Sequence, residues 1–382
     1  MDGQPSAPVT ATTSSGNRLS RDICSSVRLD GSGGFRRNSS PRGSLVSSGF
    51  FCEISQFWQF RQRNTQPEVA SEKVSVPGMK YALIPAHNNK DEVLELLGCL
   101  SRQTYGDLRI VLVDDGSTDG TDQAVRVRFP HVTILQGDGH LWWTGANVLG
   151  VNHILRHAKR GDYVLLLNND LIVDDEYVSL LVRCSEKANR AVVGSTTVDF
   201  NDPKNLAAGI RLDRKLNATV NRDKTAIESV ESEDSDMLPG RGTLVPIEVF
   251  QKVGNFNQRR LPHYGADYEF MVRARRAGFR LVVSHSAKVY AKLDISGLHM
   301  PDCARLSISE CVTLLSSRKS AANLCYYPTY VWMCSEPGWK LRNTMAHGMG
   351  LLMEAVGKTR VGAPFAAVLR FCLKGMRIMR AT

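Results

Sequence analysis

The first regular pattern of apolar and polar positions begins at Met79 and alternates between two kinds of segment. Short apolar runs, such as residues 80–85 and 163–167, are followed by longer segments with apolar residues three or four positions apart. The short runs predict buried strands and the longer segments predict amphipathic helices. Strands that alternate with helices are typical of a mostly parallel sheet flanked by helices. We therefore expect an α/β fold with one central sheet.

The pattern gives approximate bounds for each element. Strands are predicted at residues 80–85, 108–113, 132–135, 163–167, 191–198, 242–247, 281–284 and 287–290. Helices are predicted at residues 90–103, 119–129, 146–159 and 174–187, with another that follows residues 263–267 and runs to about residue 277. Residues 201–236 are polar and predict an excursion over the active face. From about residue 302 the chain reads as helices and loops, which predicts a separate C-terminal appendage.

The first 78 residues differ from the rest in composition. They are rich in Ser, Gly, Arg and Thr and show neither helical nor strand periodicity. Such a segment buries too little apolar surface to offset its chain entropy, so we expect disorder there. An organelle transit peptide is the competing interpretation, although Asp2, Asp22 and Asp30 disfavour it. The expected organisation is a disordered extension at 1–78, an α/β domain at 79–300 and a helical basic region at 301–382.

Bulk composition excludes several classes of protein. The chain of 382 residues is 42% hydrophobic and 23% charged, as in ordinary globular proteins. No apolar run reaches the ~20 residues of a membrane-spanning helix. The nine cysteines include no CxxC pair, so neither a disulfide framework nor a zinc ribbon is indicated, and a reducing cytoplasm fits. A net charge of +10 fits a phosphate-bearing substrate or an anionic surface, and no basic motif indicates nucleic acid.

Basic residues are concentrated near the C-terminus. From Trp339 onward, eight Lys and Arg residues stand against Glu354 alone, and the stretch PFAAVLRFCLKGMRIMR interleaves cations with apolar residues. As a helix this stretch would resemble a membrane-surface element. The alternative is a basic helix that packs on its own domain and exposes a solvated outer face. We therefore expect a cytoplasmic protein, with peripheral contact to the cytoplasmic membrane face as one option.

Carboxylates follow three of the apolar runs directly. The stretches are VDDGSTDGT at 113–121, LLLNND at 165–170 and HYGADYEF at 263–270. The carboxyl ends of parallel strands meet at one edge of a sheet, where α/β folds bind ligands. Carboxylates at this edge suit a divalent metal that carries a nucleoside diphosphate, together with one base that activates a hydroxyl.

Each of these motifs also has a purely structural interpretation. Asp114 and Asp115 can hold a base and a ribose, and DDGSTDG is equally good turn chemistry. Asn168 and Asp170 point to the same side and can converge on Mg²⁺ or Mn²⁺, or they can form a turn at the strand end. Asp267 can accept a proton from a hydroxyl or cap the helix that follows.

The stretch GDGHLWWTGA, residues 137–146, adds two glycines and two tryptophans. Gly137 and Gly139 permit close backbone approach, and indole rings can stack on a sugar or a base. We expect one of Trp142 and Trp143 to lie in the core and the other to be free to stack. The helix predicted after residues 263–267 carries three arginines that we expect to form a solvated basic face: Arg273, Arg275 and Arg276. His285 and His299 follow the last strands and are weak candidates for a third metal ligand.

Taken in order, these stretches resemble a family 2 glycosyltransferase, closest to the rhamnosyltransferase-like bacterial branch. The resemblance rests on KYALIPAHN, VDDGSTDGT, GDGHLWWTGA, LLLNND, GRGTLVP, HYGADYEFMVRARRAGF and AKVY, and covers about residues 79 to 299. It implies the A-type glycosyltransferase fold, a single nucleotide-diphospho-sugar transferase domain. It also implies inverting transfer from a nucleoside-diphosphate sugar to a hydroxyl acceptor with Mg²⁺ or Mn²⁺, in the synthesis of surface polysaccharide or glycolipid.

The resemblance also assigns roles to particular positions. Asp114 and Asp115 would bind a uridine- or thymidine-type base and its ribose, Asp170 would ligate the metal, and Asp267 would be the general base. The remaining nucleotide-binding positions are Pro85, Ala86, His87, Asn88, Gly145 and Asn168.

Two departures from the family pattern bear on the chemistry. The metal motif begins with Asn168 instead of Asp, and the base motif reads Ala266-Asp267 where many relatives have Glu-Asp. A nicotinamide oxidoreductase is disfavoured because no GxGxxG follows the first strand, and a nucleotidyltransferase is disfavoured because no Gly-rich basic loop follows it. The remaining alternative is a non-catalytic relative that binds a sugar nucleotide or a glycolipid.

Overall fold

The computed structural model describes residues 78–202, 204–220, 230–291 and 306–359. Except for Gly78, the N-terminal extension predicted to be disordered lies outside the described residues, as do His299 and the basic stretch at 364–380.

Strands and helices alternate in the described residues as the sequence pattern predicts. The strands are Lys80–Ala86 (β1), Leu108–Asp114 (β2), Thr133–Gln136 (β3), Tyr163–Leu166 (β4), Ile172–Val173 (β5), Val192–Asp199 (β6), Leu206–Ala207 (β7), Arg211–Asp213 (β8), Ala218–Val220 (β9), Ser232–Asp234 (β10), Thr243–Pro246 (β11) and Leu281–Ala291 (β12). The α-helices are Lys90–Ser101 (α1), Thr121–Arg128 (α2), Trp142–Leu155 (α3), Tyr177–Lys187 (α4), Ile247–Val253 (α5), Ala266–Arg276 (α6), Ile308–Ser316 (α7), Tyr326–Cys334 (α8) and Lys340–Gly357 (α9).

The main sheet has the strand order β10-β12-β6-β11-β4-β1-β2-β3, with β5 paired to β12 and β7 paired to β6. Strands β1 to β4 form one parallel group, and β6 is parallel to β12. Strand β11 lies between these two groups and is antiparallel to both β4 and β6. The predicted fold class, a mostly parallel sheet with flanking helices and a C-terminal helical region, is therefore confirmed.

Apolar packing joins the sheet to α3, α5 and α6. Phe250, Phe256 and Phe270 form a ring cluster in the core with centroids 4.8–6.1 Å apart. Gly150 lets α3 lie directly on β1, because a β-carbon there would collide with the Leu83 side chain. Burial of such apolar side chains, at about 25 cal/mol per Å² of surface removed from water, is the main stabilising contribution.

Two elements differ from the sequence prediction. Helix α3 begins at Trp142, four residues earlier than predicted, because a carboxylate from another motif caps it, as described below. The last two predicted strands form the single strand β12, whose pairing with β6 shifts register between Ser284 and Lys288. The extra residues at this irregularity interrupt the alternation that a sequence pattern relies on.

The polar segment at 201–236 is tied to the sheet at several points. Strand β7 pairs with β6, β8 and β9 form a hairpin, and β10 extends the sheet edge beside β12. Asp236, only 6% exposed, accepts hydrogen bonds from Arg214 at 2.8 Å and Arg275 at 3.0 Å. Part of the predicted acidic excursion is thus built into the domain.

The C-terminal helices pack directly on α6. Cys334 of α8 is buried against Val272, and the Tyr330 ring lies 6.4 Å from that of Tyr268. Arg276 donates to the carbonyl oxygens of residues 333–335. The expected division into domains at 79–300 and 301–382 stays a prediction. Among the described helices, none combines the length and the apolar character needed to cross a bilayer.

Candidate active site

The carboxyl ends of β1, β2 and β3 are in register at one edge of the sheet. Ala86 lies opposite Asp114, which in turn lies opposite Gln136. Strand β4 is parallel to β1 and ends at Leu166, so Asn168 and Asp170 follow at the same edge. This is the edge where the sequence predicts a ligand site.

Asp115 organises the loop that leads into α3. Its carboxylate accepts backbone N–H groups of Gly139 at 2.8 Å, Leu141 at 3.3 Å and Trp142 at 3.0 Å. The N–H groups of Leu141 and Trp142 are otherwise unpaired donors at the start of the helix, where a negative charge is also favoured by the helix dipole, and the Gly139 N–H belongs to the loop before it. Trp142 adopts a φ of 57°, which this cap stabilises. The carboxylate of Asp115 is therefore engaged in holding the loop.

Asp114 and the residues after β1 form a second set of contacts. Asp114 is 1% exposed and accepts the Ser117 N–H at 3.0 Å. Nδ1 of His87 lies 2.6 Å from the carbonyl oxygen of Asp115. The side-chain oxygen of Asn88 accepts the Thr118 N–H at 2.7 Å.

Of the residues predicted to border the base, Pro85 and Ala86 are buried in β1, whereas His87 and Asn88 are exposed at the edge. Gly145 lies buried in α3, where a β-carbon would approach Gln258 Nε2 to 2.7 Å. Contact of these residues with a nucleotide stays a prediction.

Trp143 connects the loop motif to the predicted metal motif. Its indole Nε1 donates to Asn168 Oδ1 at 3.0 Å. Because an indole N–H can only donate, the Asn168 amide must present its oxygen to Trp143 and its NH₂ group to the other side. The Trp143 ring also packs on Phe256, with centroids 5.6 Å apart. Trp143 is therefore the core-packed member of the pair.

Asp267 lies next to Trp143 across Gly240. Its Oδ2 accepts the Gly240 N–H at 2.8 Å, and its Oδ1 accepts the Tyr268 N–H at 2.9 Å. A β-carbon on Gly240 would collide with the Trp143 ring and stand 3.2 Å from the Asp267 β-carbon. Glycine at this position thus allows the GDGHLWWTGA, LLLNND and HYGADYEF stretches to meet.

Arg241 is a residue to which sequence reasoning assigned no role. Its positive charge lowers the pKa of both Asp170 and Asp267, so one guanidinium group acts on both carboxylates. Its buried Nε has no hydrogen-bond partner among the described residues. A buried guanidinium nitrogen without a partner is costly unless a ligand satisfies it. The signal available in the sequence was an Arg between two glycines at the start of GRGTLVP.

Both carboxylates have altered acidity. Desolvation raises the pKa of Asp267 from its ordinary value, opposed by the Gly240 and Tyr268 N–H groups and by Arg241. Desolvation also raises the pKa of Asp170, although that residue retains an exposed surface, because neighbouring protein atoms surround its carboxyl group. Raised carboxyl pKa values in a cleft are typical of groups that accept protons or bind a cation.

The residues at this edge fit a metal that arrives with its substrate. Within the described part of the chain, no three His, Cys, Asp or Glu side chains cluster as a ready metal cage. Mg²⁺ and similar ions often take only one or two protein carboxylates and complete their shell with substrate phosphate and water. Asp170 supplies one such carboxylate. His285 is unsuited to be a third ligand, because it is buried between Thr196 at 3.0 Å and Glu233 at 3.4 Å.

The three arginines of α6 have structural partners, so the predicted solvated basic face is wrong. Arg273 forms a two-pronged ion pair with the buried Glu269 at 2.7 and 2.9 Å. Arg275 pairs with Asp236, and Arg276 binds the carbonyl oxygens at the end of α8. Glu269 is thereby a structural carboxylate, two residues from Asp267.

A cavity of about 840 Å³ borders Trp142. Its lining includes Trp142, Gln258, Arg259, Arg318 and Tyr326. Near its edge, the His263 ring meets Trp142 at 5.6 Å. Burial and the nearby Lys319 lower the pKa of His263 to about 4, so its imidazole is neutral at pH 7. Trp142 lines this cavity, and Trp143 does not.

Known glycosyltransferases share sequence features with this chain. Residues 81–238 match the family model described as Glycosyl transferase family 2. Glycosyltransferase GlyG of Streptococcus pneumoniae serotype 4 is 26% identical over 117 residues, which make up 30% of this chain and 37% of that protein. This chain therefore matches little more than a third of that relative's length.

Two solved structures resemble the chain at low sequence identity. The structure of GalNAc-T7 with UDP, GalNAc and Mn²⁺ has a TM-score of 0.50 at 12% identity, covering 76% of this chain and 56% of that one. The mannosyltransferase PcManGT from Pyrobaculum calidifontis, in complex with GDP-Man and Mn²⁺, has a TM-score of 0.47 at 16% identity, covering 87% and 90%.

The sheet, its carboxylate-bearing edge and the likeness in fold define the A-type glycosyltransferase architecture. Within that class, residues 81–238 are similar to the glycosyltransferase family 2 model, which agrees with the family-level resemblance found in the sequence.

Proposed function

We propose that the protein is an inverting glycosyltransferase that moves a sugar from a nucleoside-diphosphate sugar to a hydroxyl acceptor. One observation carries this proposal: Trp143, Asn168 and Asp267, which are distant in sequence, meet around Gly240. This arrangement supports a role for Asp267 as proton acceptor beside the motif predicted to hold the diphosphate. A binding protein for sugars needs no carboxylate of raised pKa at this point.

The donor site would be built from Asp170, Arg241 and Asn168. Asp170 would hold a divalent cation, and the partnerless Nε of Arg241 would donate to a phosphate oxygen. Asn168, fixed by Trp143, would donate its amide NH₂ to the diphosphate or to the sugar. Bound Mg²⁺ or Mn²⁺ supplies Lewis-acid stabilisation of the charge that develops on the departing diphosphate.

Asp267 would act as the general base. Desolvation raises its pKa, which makes the carboxylate a stronger proton acceptor than an exposed aspartate. Its two oxygens are fixed by the N–H groups of Gly240 and Tyr268, so the acceptor hydroxyl meets a carboxylate of defined orientation. The carboxylate keeps further lone pairs for the incoming proton.

Transfer would occur in one displacement. The acceptor oxygen forms a bond to the anomeric carbon while the bond from that carbon to the diphosphate oxygen breaks. The electron pair of the broken bond stays on the diphosphate, and the hydroxyl proton passes to Asp267. Attack from the face opposite the leaving group inverts the anomeric configuration.

The donor, the acceptor and the biosynthetic role are inferred from the sequence resemblance. A UDP- or dTDP-sugar would be the donor, with the base near His87, Asn88, Asp114 and Asp115. A sugar or polyprenyl-linked acceptor, and a role in surface polysaccharide or glycolipid synthesis at the cytoplasmic membrane face, would complete the function. The alternative is a non-catalytic relative that binds a sugar nucleotide or glycolipid with the same fold.

Release of the nucleoside diphosphate tests the proposal. A panel of UDP-, dTDP- and GDP-sugars is incubated with Mn²⁺ or Mg²⁺ and wild-type protein, Asp267→Asn or Asp170→Ala. We expect slow hydrolysis of one donor, abolished by either substitution. The stereochemistry of the released sugar, followed by NMR, checks inversion.

Calorimetry separates the two candidate functions if no donor is hydrolysed. Binding of a sugar nucleotide without turnover, even with a panel of acceptors, would favour the non-catalytic relative. Absence of both binding and turnover would overturn both assignments of the cleft.

A further inference from the structure

The outer side of helix α9 is apolar where an ordinary surface helix is charged. Leu341, Met345 and Met349 are 67%, 66% and 59% exposed. Together with three further exposed side chains they form what we call the apolar face: Leu341, Met345, Met349, Leu352, Met353 and Val356. Its members recur three to four positions apart, so they follow one side of a helix of 18 residues, about 27 Å long.

The opposite side of α9 is fixed to the protein. Asn343 is buried and donates to the Lys215 carbonyl oxygen at 3.0 Å and to Ser335 Oγ at 3.2 Å. Ala355 is fully buried near the other end of the helix. The orientation of α9 is therefore set by its inner side, and the exposure of the apolar face does not arise from a helix turned the wrong way.

Helix α7 continues the apolar face. Leu306, just before α7, pairs with Thr359, just after α9, so the start of α7 adjoins the end of α9. Ile308 and Val312 of α7 are 66% and 58% exposed. Contiguous exposed apolar surface of this kind marks an interaction site.

Cations flank the apolar face at both ends. Lys340 and Arg342 stand at its N-terminal end and Lys358 at its C-terminal end, against Glu354 on α9 and Glu310 on α7. Lys340 Nζ lies 5.7 Å from the Trp332 ring, and the Arg342 guanidinium lies 4.1 Å from the Trp339 ring. Tryptophan rings beside Lys and Arg are typical of the boundary between lipid tails and headgroups.

We propose that the apolar face docks on an anionic membrane surface. Such a surface offers acyl chains to the Leu and Met side chains and phosphates to the flanking cations. The chain's own C-terminal residues 360–382 are a poorer occupant, because they carry five cations and no acidic residue and would add like charge. A second copy of α9 also brings a net positive charge. This docking goes beyond sugar transfer and needs no donor or acceptor.

Vesicle flotation of the full chain tests the docking. The protein is mixed with phosphatidylcholine vesicles that either contain or lack phosphatidylglycerol, and Met345→Glu/Met349→Glu is compared with wild type. We expect wild type to bind the anionic vesicles, less at high salt, and the double variant to lose at least about tenfold in apparent affinity. Val127→Glu, a change at an isolated residue of α2 that is 77% exposed, should leave binding unchanged.

Three results would overturn the proposal. Wild-type protein could fail to float with anionic vesicles, or the double variant could bind as well as wild type. Alternatively, light scattering could show a dimer that dissociates in the double variant, which would make the face a self-interface. Unchanged thermal unfolding and donor hydrolysis in the double variant confirm that its fold and its cleft are intact, so failure of the docking leaves the proposed function untouched.

Discussion

The indole of Trp143 donates to the side-chain oxygen of Asn168 at 3.0 Å and thereby fixes which way the Asn168 amide faces. The sequence does not indicate this contact, because 25 positions separate the two residues and each belongs to a different motif. The bond connects the start of α3 to the end of β4, so the position of one motif depends on the other.

Removing this bond should lower activity without unfolding the protein. In Trp143→Phe an aromatic ring is kept next to Phe256, whereas the N–H that holds Asn168 is lost together with the outer indole atoms that face Gly240. A net contribution of about 1 kcal/mol predicts a fall in kcat/KM of roughly fivefold. Steady-state kinetics with the identified donor measure it. An unchanged kcat/KM would mean that Asn168 does not contact the donor.

Restoring a second carboxylate to the metal motif should strengthen metal activation. Asn168→Asp keeps an acceptor for the Trp143 N–H and adds one negative charge near Asp170. The concentration of Mn²⁺ or Mg²⁺ that gives half-maximal activity should fall severalfold, because ligand charge tunes affinity for hard cations. Metal titration of donor hydrolysis provides the measurement. Weaker activation in this variant would contradict the placement of the metal.

The two carboxylates at the start of α6 should respond differently to neutralisation. Folding raises the pKa of Asp267, so its ionised form lowers stability at neutral pH. Asp267→Asn removes that charge but also replaces one of two N–H acceptors with an NH₂ donor, so the two effects oppose each other and the unfolding temperature should change little. Glu269→Gln should lower the unfolding temperature, because it removes the buried charge that pairs with Arg273. Calorimetry on both variants checks the contrast, and a stability loss in Asp267→Asn as large as that in Glu269→Gln would contradict it.

Arg241 should shift the pH dependence of the reaction. Its positive charge lowers the pKa of Asp267, so Arg241→Met should raise that pKa. The acid limb of the kcat/KM profile, where the base becomes protonated as pH falls, should therefore move to higher pH. The KM for the donor should also rise if Arg241 holds a phosphate. Arg109→Met, an exposed change near the opposite end of β2, serves as the control and should leave the profile in place.

Asp115 should prove important for stability whether or not it binds a nucleotide. Asp115→Ala leaves three backbone N–H groups near the start of α3 without their acceptor and should cost about 2 kcal/mol or more of unfolding free energy. Asp138→Ala, which removes one exposed acceptor from the same loop, should cost much less. Urea unfolding compares the two. Equal losses would contradict the anchoring role of Asp115.

The sequence predicted the elements of the fold well because their apolar periods are strong. Strand β1 and helix α6 lie within two residues of the expected bounds. Strand direction could not be predicted in the same way, since the apolar run at 242–247 has no feature that marks β11 as antiparallel. The start of α3 was also missed, because Asp115, its capping residue, precedes it by 27 positions.

The candidate site could be predicted as a set of motifs but not as a network of contacts. The strand-end position of Asn168, Asp170 and Asp267 follows from topology. The engagement of Asp115, the partner of Trp143 and the position of Arg241 depend on side-chain packing between elements that are distant in sequence. For the same reason the arginines of α6 were assigned to solvent. Arg275 and Arg276 have partners in other segments, and Arg273, besides its pair with Glu269 in the same helix, donates to the carbonyl oxygens of residues 253 and 255.

The position of β11 has a consequence for how the protein folds. This strand separates the β4 group from the β6–β12 pair, so neither half of the sheet is complete until β11 inserts between them. Gly240 and Arg241 immediately precede β11, and Asp267 follows it. Such non-local pairings form late and slowly. During synthesis, the early strands emerge with open edges, and the cleft exists only after α6 has joined them, so the growing chain exposes unpaired strand edges that favour aggregation.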